Sequence, residues 1–242
     1  MEMVQSLYVG LSAQLALQRR LETLAGNIAN QNTAGFRAEA VTFDNVLSKT
    51  AKDSVAFVSA GRNFTSQRPG EVAQTGNPLD IAISGEAWFA VSTQAGPALT
   101  RDGRLQMTPS GSLQTITGRP VLDVGGSPIQ LDPAADPPAI AHDGTITQNG
   151  KSVGAVGLFI MDPNAKLTRL EGAIVLPDRP PVPSIDANAS GIMQGYIERS
   201  NVDPVKEMTR LIEVQRTFEA ITASINQIEG SLNESIRVLG GS

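Results

Sequence analysis

The stretch that looks most like chemistry is Gly144-Thr-Ile-Thr-Gln-Asn-Gly150-Lys151-Ser152, a glycine-bounded loop ending in Lys-Ser. A loop that cradles phosphate has four residues between its glycines, follows a strand and opens a helix. Here five residues intervene and Asn149-Gly150 sits between two β-like runs, which predicts a hairpin turn. The single histidine, His142, stands beside Asp143 and would need a serine and an acid to converge on it. One histidine also builds neither a metal cluster nor its supporting shell. Asp132 and Asp136 lie in a Pro-Ala loop and Asp162 precedes Pro163-Asn164, so solvated turn carboxylates are expected. Asn63-Phe-Thr65, Asn188-Ala-Ser190 and Asn233-Glu-Ser235 match glycosylation sequons at chance level and are assigned nothing. Trp88 and Phe89, just after Gly85, read as core. No catalytic, cofactor-binding or metal-ligating set is expected, and the chain does not read as an enzyme.

The totals narrow the remaining classes. A net charge of −5 and a pI near 5.0 predict no broad basic surface for nucleic acid. Aromatics at 4% are too few for base-stacking platforms. The absence of cysteine excludes disulfides, thiolate metal sites and cysteine nucleophiles. No run of 18 apolar residues occurs, so no membrane span is expected. The first apolar stretch, Leu7 to Leu17, is broken by Ser12 and Gln14, and Arg19 and Arg20 follow rather than precede it. A cleaved secretory leader is therefore not expected, and any export route would keep the N-terminus.

The elements that dominate the chain are its two ends. Read at alternating steps of three and four, the C-terminal stretch gives Leu211, Val214, Phe218, Ile221, Ile225, Ile228, Leu232, Ser235 and Leu239. That spacing places one narrow apolar stripe on a helix of about 54 Å. Asp203 is placed to cap it, Pro204 suits the first helical position, and Gly240-Gly241 end it. Residues 3–30 read as a second long helix, with Val4, Leu7, Leu11, Leu15, Leu21, Leu24 and Ile28 at helical spacings. The run Asn27-Ile-Ala-Asn-Gln-Asn-Thr-Ala-Gly-Phe36 then ends it, since Asn and Gly tolerate left-handed backbone. The economical reading packs these two helices on each other. Two ordinary core-facing helices of a globular fold remain the alternative.

Between the helices the pattern shortens to strands and turns. Candidate strands include Leu79–Ile83, Trp88–Val91, Ala98–Arg101, Val121–Val124 and Val153–Ile160, punctuated by Asp102-Gly103, Ser110-Gly111, Gly125-Gly126, Asp143-Gly144 and Asn149-Gly150. The expected fold class is α+β: long N- and C-terminal helices that pair, with a central all-β domain. The expected division is an N-terminal helix and turn over 1–36, an extended linker over 37–76, the β domain over 77–176, a Pro-rich connector and return strand over 177–199, and the C-terminal helix over 200–242. No internal repeat is visible.

Three motifs in order carry a resemblance. Asn27-Ile-Ala-Asn30 with Asn32-Thr-Ala-Gly35-Phe36 resembles the N-terminal signature of the bacterial flagellar rod and hook proteins. Gln194-Gly-Tyr-Ile-Glu-Arg-Ser-Asn-Val-Asp-Pro-Val205, with Glu207-Met208 and Gln215-Arg216-Thr-Phe218-Glu219, is similar to the family's C-terminal signature. Gly76-Asn-Pro-Leu-Asp-Ile-Ala-Ile83, Trp88-Phe89 and Leu99-Thr-Arg-Asp-Gly103 resemble its middle motifs, with Ala87 and Leu105 departing from the usual Gly and Phe. The resemblance implies a structural subunit of the basal-body rod, most like the proximal subunits, with a distal rod subunit or a secreted coiled-coil protein outside the flagellum as alternatives. It implies that the helices pair as a coiled coil in the inner layer of a helical tube, with the β domain outside. The apolar seams of both helices would then supply assembly contacts. Asn27, Asn30, Asn32, Gly35 and Phe36 would shape the turn out of the first helix, and Ser200, Asn201 and Asp203 the entry to the second. Implied partners are other rod proteins on either side, further copies of the chain, and the flagellar type III export apparatus; no nucleic acid and no cofactor are implied.

Overall fold

A computed structural model describes residues 2–43, 45–48, 55–59, 61–184 and 189–240. Within these, the side chains of 2–6, 45–48, 55–58, 232, 235, 236 and 238–240 are outside the described set. Two compact units are present. The first joins residues 1–29, 39–66 and 203–242, and the second joins 30–38 and 67–202.

The first unit contains α1 (Glu2–Ala29), β1 (Glu39–Thr42), β2 (Asn45–Ser48), β3 (Val55–Val58), β4 (Arg62–Thr65) and α2 (Pro204–Gly240). α2 starts where local chemistry says it should. The Asp203 carboxylate accepts from Lys206 N at 3.2 Å, and Pro204 takes the first helical position, where its missing N–H is no loss. The two helices run antiparallel against each other. Gln14 Nε2 donates to Thr222 Oγ1 at 3.2 Å, Gly10 lies against the Ile225 side chain, and Asn27 reaches Glu207. β1 pairs antiparallel with β4, and β2 with β3.

The second unit is all β. It holds β5 (Val72–Gln74), β6 (Ile81–Ser84), β7 (Trp88–Thr93), β8 (Gly96–Thr100), β9 (Leu105–Met107), β10 (Leu113–Thr115), β11 (Ala139–Ile140) and β12 (Thr145–Gln148). It continues with β13 (Lys151–Ala155), β14 (Leu158–Ile160), β15 (Leu167–Glu171), β16 (Ile174–Pro177), β17 (Val182–Pro183), β18 (Gly191–Gln194) and β19 (Tyr196–Glu198). A six-stranded antiparallel sheet runs in the order β15-β16-β8-β7-β14-β17. A three-stranded sheet β11-β12-β13 and the pairs β9–β10, β6–β18 and β5–β19 complete it. Strand alternation sends Phe89 and Val91 of β7 into one core cluster with Ile81, Leu113 and Ile146, and Trp88 and Ala90 into another with Leu99 and Val175.

Three segments differ from the sequence expectation. Residues 37–76, expected as a linker, hold β1 to β5, because their partners are remote: β5 pairs with β19 across the chain. Val153–Ile160 is two strands, broken at Gly157, whose Cα has Asp123 backbone against it and no room for a Cβ. Val121–Val124 forms single bridges, Val91 to Val121 and Leu122 to Pro128, and not a strand.

Candidate functional site

The residues first suspected of chemistry are set apart by the fold. Gly144–Ser152 is the β12–β13 hairpin, with Asn149 at φ 50 and Gly150 at φ 73 in its turn. No helix follows it, so the loop has no dipole to hold a phosphate. His142 is exposed. Hydrogen bonds from the Thr145 backbone and hydroxyl hold the Asp143 carboxyl below its ordinary range. Asp162 is lowered by Asn164 N–H and by Arg179 in the same way. A cleft of about 300 Å³ lined by Thr33, Thr100, Thr115 and Thr117 holds Asp102 and Arg104, and these two charges pair with each other at 2.7 Å. No cluster of His, Cys, Asp and Glu fit for a metal occurs among the described residues, and none of their helices is long and apolar enough to cross a membrane.

What the second unit does assemble is a junction between the two signature segments. Beyond α1, Thr33 N donates to Asn30 O and Phe36 N to Thr33 O, two tight turns in succession. Gly35 sits at φ +66, and a Cβ there would lie 2.2 Å from the backbone of Arg101 and Asp102. Only glycine satisfies both the left-handed backbone and that approach. Its N–H donates to Glu198 O at 2.8 Å. Phe36 is buried, with the Arg169 guanidinium 4.2 Å from its ring centre. Asn201 locks the two segments side by side: its N–H donates to Phe36 O, its Oδ1 accepts from Ala38 N at 2.7 Å, and its Nδ2 donates to Arg68 O at 2.7 Å. Ser200 Oγ accepts from Val202 N, while Asn32 is exposed. Asn27 does its work in the first unit. Buried, it donates to Glu39 O at 2.8 Å and to Glu207 Oε2 at 2.9 Å, and accepts from Glu39 N at 2.9 Å.

At the centre of the junction is an ion triad that sequence reading missed. Glu198 is 1% exposed, and Arg37 and Arg101 are 2% exposed. Glu198 Oε1 lies 2.8 Å from Arg37 Nη2, and Oε2 is 3.1 Å from Arg101 Nη1. Gly70 N donates to the same carboxylate. Arg101 also donates to Ile83 O and Gly85 O, and Arg37 to Gln67 O. Both guanidiniums lie over Trp88, 5.6 and 5.5 Å from the ring centre. Burial lowers the pKa of Arg101 to about 10, with Glu198 opposing the shift and Arg37 adding to it. Arg37 is lowered by burial as well, against the pull of Glu198. Sequence spacing holds no signal for the triad, since its members come from three segments far apart in the chain.

Within one chain the helix seam is only partly covered. Leu7, Leu21, Ile28, Leu211, Phe218, Ile221, Ile225 and Ile228 are half-buried, and Leu24 and Val214 are buried. Leu11 and Leu15, however, are 47% and 59% exposed in the single chain. Two successive steps of four from Leu7 rotate the position by about 80°, off the face that carries Gly10 and Gln14. The side chains of Val4, Leu232 and Leu239 lie outside the described residues.

Comparison with known proteins follows the same three segments. Residues 7–37 match the flagella basal body rod protein family, 82–148 the flagellar hook protein FlgE/F/G D1 domain, and 193–238 the C-terminal region of the flagellar basal body rod FlgEFG proteins. Each segment supplies one member of the triad. The flagellar basal-body rod protein FlgF of Mesorhizobium japonicum is 50% identical over 98% of this chain and 99% of its own length. The chain belongs to the flagellar basal-body rod protein family. FlgF of Rhizobium meliloti is 48% identical over 99% of the chain and all of the relative, and FlgG of Bacillus subtilis is 29% identical over 98% of the chain and 99% of the relative.

Proposed function

We propose that the chain is a structural subunit of the proximal part of the flagellar basal-body rod, the shaft that carries torque from motor to hook. The observation that carries this is the 50% identity, end to end, with a FlgF protein, against 29% with a FlgG protein of equal coverage. The role is mechanical, and its working parts are surfaces. α1 and α2 pair as a coiled coil. In support, the least exposed positions of α2, from Glu207 through Leu211, Val214, Phe218, Ile221 and Ile225 to Ile228, recur at alternating fours and threes. The helix pair faces the inside of a tubular assembly and the β region spaces neighbours along it. Its neighbours are inner rod subunits below, distal rod protein above, and sister copies around. The chain reaches the rod, across the periplasm, through the flagellar type III export apparatus.

Purified basal bodies test the proposal. Cells lacking the gene should build no complete rod and should not swim, and a tagged chain should map to the rod. A deletion strain that still builds rods and swims would overturn it.

A further inference from the structure

The chain contains a single Asn-Gly step, Asn149-Gly150; every other asparagine is followed by a residue larger than glycine. This step is the two-residue turn of the β12–β13 hairpin, with φ 50 at Asn149 and φ 73 at Gly150. Gln148 pairs with Lys151 across the turn, so the Gly150 N–H takes no part in the strand ladder. Both turn residues are exposed, and a Cβ built on Gly150 meets nothing within 4 Å. The Asn149 side chain is lightly held. Its Oδ1 accepts from Asp136 N at 3.4 Å, longer than a good N–H to oxygen bond.

Asparagines elsewhere are placed differently. Asn27 is buried and bonded at both ends of its carboxamide to Glu39 and Glu207. Asn201 also uses both ends, toward Ala38 N and Arg68 O. Asn77 precedes Pro78, which has no N–H to serve as a nucleophile. Only at Asn149 do an exposed amide, an unladdered N–H and an unobstructed glycine coincide among these positions.

We propose that the β12–β13 turn is a site of spontaneous modification, at which Asn149 deamidates in the folded chain. The Gly150 nitrogen attacks Asn149 Cγ. The new N–C bond forms as the Cγ–Nδ2 bond breaks, and ammonia leaves with the hydrogen that Gly150 N gave up. Water, the only co-reactant, then opens the succinimide. Opening at Cγ gives aspartate, and opening at the backbone carbonyl gives isoaspartate. Either product adds a negative charge to a chain already at −5. Aspartate keeps the turn and the acceptor for Asp136 N. Isoaspartate puts an extra carbon into the backbone of a two-residue turn, and the Gln148–Lys151 pairing is lost. Gln148 is buried, and its carboxamide holds Asp132 N, Asp132 O and Asp136 O. The loop over residues 132–136 therefore loosens with the turn. None of this depends on the rod assignment.

The purified full-length chain is incubated folded at mildly acidic and mildly alkaline pH, beside a sample unfolded in urea at the alkaline pH. Peptide mass spectrometry with chromatography that resolves isoaspartate follows each asparagine. Asn149 should convert first, and faster at the higher pH because the attacking nitrogen must lose its proton. Its folded rate should stay within several-fold of the urea rate. Asn149→Gly keeps a turn that accepts positive φ and should remove the fast product altogether. Amide hydrogen exchange over residues 132–136 should rise in the isoaspartate fraction and not in the aspartate fraction. If Asn149 stays intact in the folded chain while the urea sample converts, the turn shields its amide and the proposal fails. Earlier conversion of another asparagine overturns it too, and unchanged exchange in the isoaspartate fraction overturns the coupling to the loop.

Discussion

Replacing Glu198 by glutamine tests whether the buried triad holds the two signature segments together. Glutamine keeps the shape and one acceptor for Gly70 N, but removes the negative charge that Arg37 and Arg101 share. Removing one partner from a buried ion pair costs about 3–5 kcal/mol, since the remaining charge is left uncompensated. Here two guanidiniums remain, each with pKa already lowered by burial. Against a total of about 5–15 kcal/mol for a domain, that is a large fraction. With about 2–4 °C per kcal/mol at this size, the midpoint should fall by roughly 6–20 °C. The single tryptophan reports it directly, because Trp88 lies under both guanidiniums. Thermal and urea unfolding followed by Trp88 fluorescence would give the loss. Arg101→Met placed on the Glu198→Gln background should recover part of it by removing one orphaned charge. If Glu198→Gln unfolds within about 0.5 kcal/mol of the parent, like an exposed pair, the triad is not holding the junction.

Other perturbations follow from the same geometry. Gly35→Ala meets the backbone of Arg101 and Asp102 and an unfavourable φ, so it should cost more than the roughly 1 kcal/mol of a φ penalty alone, read from the same fluorescence transition. Asn27→Ala leaves the Glu39 N–H and C=O and Glu207 short of a buried partner, and about 2–4 kcal/mol of helix-pair stability should go, measured by circular dichroism at the helical band. Ile225→Asp puts a carboxylate against Gly10 in the half-buried helix seam; swimming should be lost while the Trp88 transition stays where it was. Asp143, Asp162 and Glu171 all have folded pKa values lowered by their partners. The stability they contribute is present at neutral pH and is lost as pH falls through and below the ordinary 3.8 and 4.5, so the urea midpoint should drop across that window.

Much of this chain was legible without coordinates because the deciding interactions are local. Asp203-Pro204 marks the start of α2 through a cap and a fixed φ, and alternating steps of three and four pick out its least exposed face. Asn149-Gly150 makes its hairpin because both residues accept positive φ. Such signals need only neighbours a few residues away. The α+β class followed from them, as did the β12–β13 hairpin.

Tertiary structure decided whatever depends on remote partners. Residues 37–76 read as an extended linker, yet strands lie within them because β1 finds β4 and β5 finds β19. Leu11 and Leu15 fit a helical stripe on paper, but α2 packs on the face that carries Gly10 and Gln14 and leaves both leucines exposed in the single chain. Arg37, Arg101 and Glu198 lie far apart in the sequence, and periodicity cannot pair them. A charge survives burial only when its opposite arrives from elsewhere in the chain, and that meeting exists in three dimensions alone.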